Sequence, residues 1–370
     1  MKRQIAVVLF LLFWALTSCE SKYCPSCPNP PGPVIYTGWA IGWYVDDNKD
    51  PTGAAIVSTK DSGHTWVAQG DTTQWAGHVG NDISAVDEQT AWAAVGENDL
   101  SDGMILHTAD GGQTWVSQTI PAQVQDSMKG IKGLSRTEAW AVSLKGTVLH
   151  TTDGGQNWNI VPTPNITMGE INRIDAIGQN IWLVDHMAGA SGIIHSRDGG
   201  QTWRKETLPD VQPHSGPLAI SAFSTSVVWS AANLEMDFFR TVDGGNSWQK
   251  VVSLPGMNDF DDICAGSRDW LWAVLNQGGF LGGTIYRVKV TDQSPVIQQF
   301  DPAYLNYQYE GVACFDEHNA WVVGYASMHA IPELPQGVIV HTDDGHNWEN
   351  QVMPADNIRL WKVSFVGAKR

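Results

Sequence analysis

The feature that most limits this chain is an eight-residue segment, closed by tryptophan, that recurs at a near-constant interval. It stands at Thr59 to Trp66 (TKDSGHTW), Thr108 to Trp115 (TADGGQTW), Thr151 to Trp158 (TTDGGQNW), Ser196 to Trp203 (SRDGGQTW), Thr241 to Trp248 (TVDGGNSW) and His341 to Trp348 (HTDDGHNW). The closing tryptophans lie 49, 43, 45, 45 and 100 residues apart, so the last interval is two periods with one copy worn away. That copy is expected near Val290 to Val296 (VTDQSPV). A second tryptophan recurs upstream of each segment, in short apolar runs at Trp39, Trp92, Trp140, Trp182, Trp229, Trp272 and Trp321, which makes seven repeats. The 18 tryptophans of the chain thus have a repeated structural job. A fixed period of this length marks supersecondary units that bury their apolar faces only against one another.

Each repeat holds four short β-type runs separated by turn residues, the signature of one propeller blade. The fold class expected is all-β, a seven-bladed β-propeller with four antiparallel strands per blade. The first repeat has no strand ahead of Trp39, whereas Ile358 to Val366 (IRLWKVSFV) has the pattern of a first strand with no blade after it. Pairing the two ends closes the ring and removes the edges of an open sheet. The blades are placed at about 36–70 plus 358–370, 80–120, 128–163, 169–208, 216–254, 259–300 and 309–354.

The octapeptide resembles the Asp box of the bacterial neuraminidase repeat. The physics suits a hairpin between third and fourth strands: the aspartate accepts backbone N–H bonds within the turn, the glycine takes a positive φ, and the tryptophan packs between sheets while its N–H finds a carbonyl. Asp61, Asp110, Asp153, Asp198, Asp243 and Asp343, with Trp66, Trp115, Trp158, Trp203, Trp248 and Trp348, are read as structural. An active site occurs once, but these recur once per blade. The same logic makes His107, His150, His195 and His341 strand residues and not metal ligands.

Lys2 and Arg3, the apolar run Ile5 to Leu16 and the sequence Leu16-Thr17-Ser18-Cys19 read as an export signal over residues 1–18, too short to span a bilayer. The tetrapeptide resembles the bacterial lipobox, which implies lipidation at Cys19; an ordinary secretory signal is the competing reading. Residues 19–35 form a Pro-rich tether. The expectation is an exported protein, lipid-anchored to the cell envelope, on its periplasmic or outer side. Loss of Lys2 and Arg3 takes the net charge from -17 to -19, which argues against nucleic acid or anionic lipid as partner. The five cysteines make no disulfide framework. Cys24 and Cys27 are a local disulfide or an incidental pair, and Cys264 and Cys314 are expected to be small buried apolar residues.

Blade geometry puts the boxes on one face, with the loops joining second to third strands and fourth strands to the next blade on the other. Candidate binding residues on that other face are Asp82, Glu97, Asp102, Asp185, His186, Glu235, Asp237, His329 and Glu333, and the face is expected to be acidic. Asp46 to Asp50 begins like a calcium loop, but Pro51 stands where glycine is required. No metal, cofactor or catalytic residue is assigned.

Two functional classes remain. The Asp boxes resemble those of sialidases, whose chemistry needs three converging arginines and a Tyr–Glu pair; the chain has ten arginines in all and no Phe/Tyr-Arg-Ile-Pro motif in its first repeat. Leu149 to Trp158 (LHTTDGGQNW) and Glu138 to Leu144 (EAWAVSL) are more closely similar to the photosystem II stability and assembly factor family, over about residues 36–370. That resemblance implies a non-catalytic scaffold binding a protein partner at a membrane. A sialidase, another glycoside hydrolase or a glycan-binding propeller is the alternative.

Overall fold

The computed structural model describes residues 34–70, 73–97, 101–163, 166, 169–185, 192–210, 217–232, 236–254, 259–276, 282–291, 295–300, 307–326 and 335–367. Cys19, Cys24, Cys27, His186, Glu235, His329 and Glu333 lie outside them.

Seven four-stranded antiparallel sheets form the propeller, with no helix among the described residues. Six sheets take their strands in chain order. The seventh places the last strand, Ile358–Gly367, beside Tyr36–Val45, with Tyr36 opposite Gly367 and Tyr44 opposite Ile358. The ring is therefore closed by joining the two ends in one blade. The worn box falls between strands Gly283–Lys289 and Val296–Phe300, as its period requires, although 292–294 lie outside the described residues.

The core is a set of seams. Seven apolar clusters each draw residues from two neighbouring blades; one joins Trp39 and Ile56 to Ile83, Val95 and Leu106, and another joins Ala55 and Val57 to Trp321 and Leu360. All seven second-strand tryptophans are fully buried. Opposite six of them, on the third strand, stands a polar group that covers the ring. His107, His150, His195 and His341 stack on Trp92, Trp140, Trp182 and Trp321, and Arg240 and Arg287 lie over Trp229 and Trp272. Ser58 fills the place opposite Trp39.

Five boxes share one hydrogen-bond pattern. In the fourth blade the Ser196 hydroxyl donates to Asp198 Oδ1 (2.9 Å) and accepts from Gly200 N (2.8 Å), while Asp198 Oδ1 accepts from Thr202 N (2.8 Å). The Thr202 hydroxyl on Oδ2, followed by the Thr202 N–H on Oδ1, holds the Asp198 carboxyl down at about 2, and the hydroxyl and N–H of Ser247 do the same for Asp243. The last box corrects the sequence expectation. Asp344, and not Asp343, accepts from Thr342 Oγ1, His346 N and Asn347 N. The turn there is one residue shorter, with Gly345 N bonded back to Thr342. The tryptophan partners differ as well: Trp203 reaches the Gly200 carbonyl, but Trp66, Trp115 and Trp248 donate to side-chain oxygens of Gln351, Gln69 and Glu206.

A second correction concerns Cys264 and Cys314. They form a disulfide with Cα atoms 5.9 Å apart, linking the first strands of the sixth and seventh blades. Equivalent positions in adjacent first strands face each other across a seam, which brings two thiols within bonding reach.

Candidate functional site

The first strands of the blades line the central channel, and each carries a β-bulge near its start. The residues left out of the ladder are Asn81, Lys129, Asn172, Leu218, Asp261, Glu310 and Trp361, one per blade. A bulge re-aims a side chain and ends regular pairing, which is why bulges gather at barrel rims and sites. First strands begin on the face opposite the boxes, so the seven bulges form a ring at that mouth. Six of them, with Arg173 and Phe260, line one cavity of about 210 Å³.

Below the ring, side chains satisfy N–H groups that the innermost strands cannot pair within their own sheet. Asp82 accepts from Ile131 N (2.9 Å), Asp175 from Ala222 N (2.7 Å) and Asp262 from Val312 N (3.2 Å), each reaching the next blade. Ser364, Ser84 and Ser221 do the same for Ala85, Gly133 and Ala265, all at 3.0 Å. Cations alternate with these groups: Lys132 pairs with Asp175 (2.7 Å) and Lys362 with Asp262 (2.9 Å).

Burial sets the electrostatics. It pushes the Asp82 carboxyl up to about 6. Burial, then the neighbouring charge of Glu310, drives Asp261 well above the carboxylate range, and burial raises Glu310 as well. Burial also lowers the Lys129 and Lys362 ammonium groups. Arg173 donates to the Asn172 and Asp261 carbonyls, both at 3.0 Å, and Lys362 to those of Asp261 (3.2 Å) and Glu310 (3.1 Å).

One side of the mouth is aromatic. Trp361 lies 5.7 Å from Trp43 and 6.4 Å from Tyr325 between ring centroids, and Arg359 stands over Tyr325 at 5.4 Å. Burial, followed by the Glu310 charge, drives the Tyr325 hydroxyl well above its ordinary value. The arrangement offers apolar faces beside buried donors and acceptors of both signs. It can grip a small number of side chains or an extended backbone, with no single charge dominating.

The sequence candidates among the described residues do not converge on this mouth. Asp82 lies in the channel. Asp185 is fully buried and bound to Lys205 Nζ (2.8 Å), and Asp237, also buried, binds Lys250 Nζ (2.7 Å). Both are internal ion pairs. Glu97 and Asp102 meet His78 at the rim of the second blade. The mouth itself carries both signs of charge, Lys129 and Arg173 accompanying Asp261. The bulge ring itself escaped the sequence, although one extra residue ahead of each first-strand apolar run was its available signal.

The sequence profile of the family described as Photosynthesis system II assembly factor YCF48 matches residues 72–370. No curated protein matches the chain in sequence. Among solved structures, one described as YCF48 bound to D1 peptide is 19% identical with a TM-score of 0.54, over 74% of this chain and 81% of that one. YCF48 from Cyanidioschyzon merolae is 17% identical with a TM-score of 0.56, over 77% and 95%. The GH74 xyloglucanase from Xanthomonas campestris is 12% identical with a TM-score of 0.59, over 90% of this chain and 56% of that one. At such identities these likenesses show the propeller alone.

Proposed function

Because the chain belongs to the Photosynthesis system II assembly factor YCF48 family, we propose that it is a non-catalytic scaffold that holds a segment of a protein partner at the channel mouth opposite the boxes. The ring of seven bulges carries this reading. Bulged side chains from six of the seven blades open on one cavity of about 210 Å³, which admits one or two side chains and not a folded surface. An extended or terminal segment of the partner suits that size, its side chains set against Trp361 and its backbone against Lys129, Arg173 and Asn81. The similar structure described as bound to a D1 peptide supports a peptide ligand for this kind of propeller.

The reading includes export and a lipid anchor at Cys19, with a membrane or envelope protein as partner. The signal-like start supports export, and the Cys264–Cys314 disulfide suits an oxidising compartment.

A photo-crosslinking residue at Leu218 tests the site. The expected result is a crosslink from Leu218, to a protein of the membrane fraction, that is absent when the same residue stands at exposed Val116 on the outer strand of the second blade and is lost with Trp361→Ala. Equal crosslinking from Val116, or crosslinking indifferent to Trp361, overturns it.

The glycoside hydrolase reading has one observation in its favour, the proximity of Tyr325 to Glu310. Two facts weigh against it. The arginines whose charges act on that pair are Arg173 on Glu310 and Arg359 on Tyr325, whereas the sialidase set needs three. The raised Tyr325 hydroxyl is also the opposite of an activated nucleophile. Hydrolysis of sialosides or xyloglucan by the purified protein, lost with Tyr325→Phe, would favour the enzyme.

A further inference from the structure

We propose that His78, Glu97 and Asp102 form a site for a divalent transition-metal ion of the zinc type at the rim of the second blade. Three strand ends bring them together. His78 opens the first strand, His78–Ala85, and is paired with Glu97, the last residue of the second strand, Ala91–Glu97. Asp102 precedes the third strand, Gly103–Thr108, and its carbonyl accepts from Glu97 N at 2.9 Å. One ligand atom from each lies within 4.8 Å of the others. Ligands of a tetrahedral ion bound at about 2.0–2.2 Å stand roughly 3.4 Å apart, so a side-chain rotation closes the set. Asp102 is exposed, and that rotation exchanges the hydrogen bond its Oδ1 accepts from Gly103 N (2.8 Å) for the ion.

The state of His78 is the independent observation. Its Nδ1 lies 3.0 Å from the Ala76 carbonyl oxygen, which can only accept, so Nδ1 carries the proton. Nε2 is then left with its lone pair, shielded from solvent and with no hydrogen-bond partner in the protein. A histidine that donates through one nitrogen to a backbone carbonyl while the other stays bare is the arrangement that orients metal-ligating imidazoles. The backbone around it is pinned: His78 N donates to Trp75 O at 3.1 Å and Gly77 N to Thr52 O at 3.0 Å. On the carboxylate side Ser101 donates its hydroxyl to Glu97 Oε2, leaving Oε1 for an ion.

The donor set selects the ion. An imidazole disfavours calcium and magnesium, which take oxygen ligands, whereas one histidine with two carboxylates suits zinc and its neighbours. Three protein ligands leave a fourth position for water or an outside donor.

The test uses the full chain, stripped of metal by a chelator and titrated with Zn²⁺ against a chromophoric competitor, with Co²⁺ absorption as the coordination signature. One tight equivalent is expected. His78→Gln should abolish it, Glu97→Gln and Asp102→Asn should each weaken it by at least about tenfold, and Cys24→Ser with Cys27→Ser should leave it unchanged. Circular dichroism in chelator checks that each variant folds; should His78→Gln fail that check, the exposed Asp102→Asn decides. Binding equal to the natural protein in the folded variants, or no zinc bound below about 1 mM, overturns the site.

Discussion

Trp248 of the fifth blade donates its indole N–H to the carboxylate of Glu206 in the fourth, at 2.8 Å and out of contact with solvent. Trp66 and Trp115 make the same step back to Gln351 and Gln69, so the acceptor stands three residues after the preceding blade's box tryptophan. Where that place holds Val161, Trp203 turns to the carbonyl of its own box instead. Three of the six box tryptophans are thus fastened to the preceding blade across the seam.

Glu206 also accepts from Arg204 (2.5 Å) and faces His195 Nδ1 at 2.8 Å. Glu206→Ala would leave the Trp248 indole N–H and His195 Nδ1 without partners inside the seam, and the expected cost is about 2–4 kcal/mol. Glu206→Gln keeps an amide oxygen for Trp248, as Gln69 and Gln351 do, and should cost less than half as much. Urea midpoints for the two variants check the order; equal losses would show that the indole bond contributes nothing.

A second prediction concerns acid. His107 and His341 stack on buried tryptophans with Nε2 unpartnered, and burial lowers both to about 4. His150 and His195 face Glu138 and Glu206 at the same blade position. For a base whose folded value lies below its unfolded one, near 6.5, the unfolded chain binds more protons between the two. The stability is present above pH 6.5 and is lost as pH falls towards 4. Asp82, raised to about 6, opposes this, because in that window the folded state takes up its proton. His107→Gln with His341→Gln should flatten the fall in melting temperature between pH 7 and 4 by several degrees. An unchanged slope would exclude these histidines as its source.

The register of the last box gives a third. Asp344 makes the bonds that Asp61, Asp110, Asp153, Asp198 and Asp243 make elsewhere, whereas none of the box hydrogen bonds at the last turn is made by the Asp343 carboxylate. Asp344→Ala should lower the melting temperature by about 2–4 °C, and Asp343→Ala should lie within error of the natural protein. The reverse order would restore the longer turn.

Blade number, box positions and ring closure are legible in the sequence because each depends on residues that recur: the two tryptophans, the box aspartate and glycine, and an unpaired first-strand pattern at Ile358 to Val366. The bulge ring is not, because the residues that share that position have no common chemistry. Asn81, Leu218, Glu310 and Trp361 match only in geometry, and one extra residue is lost within repeats that already differ by several. Asp343 misled because His341 supplies the count for the longer turn, while Gly345 N bonded to Thr342 selects the shorter one. Asp185 and Asp237 looked like surface candidates because their partners, Lys205 and Lys250, come from the fourth strand, a contact that appears only once the hairpin is built.

The Cys264–Cys314 disulfide closes a loop of 50 residues between neighbouring first strands. Restricting the unfolded chain over that length is worth about 4 kcal/mol. The seam it crosses is also held by Val312 N on Asp262, by Lys362 on the Asp261 and Glu310 carbonyls, and by an apolar cluster containing Trp272, Tyr309 and Val322. Those contacts do not depend on the bond, so the ring should stay closed when it is cut. Cys264→Ser with Cys314→Ser is therefore expected to keep the β-sheet dichroism of the natural protein while its urea midpoint falls, and dithiothreitol should lower the midpoint of the natural protein to the same value without affecting the variant. Alkylation of the unreduced, denatured protein should label as many thiols in the natural chain as in the double variant. Two additional labelled thiols in the natural chain would show the pair reduced, and the stability difference would then have to come from the serine hydroxyls in the channel.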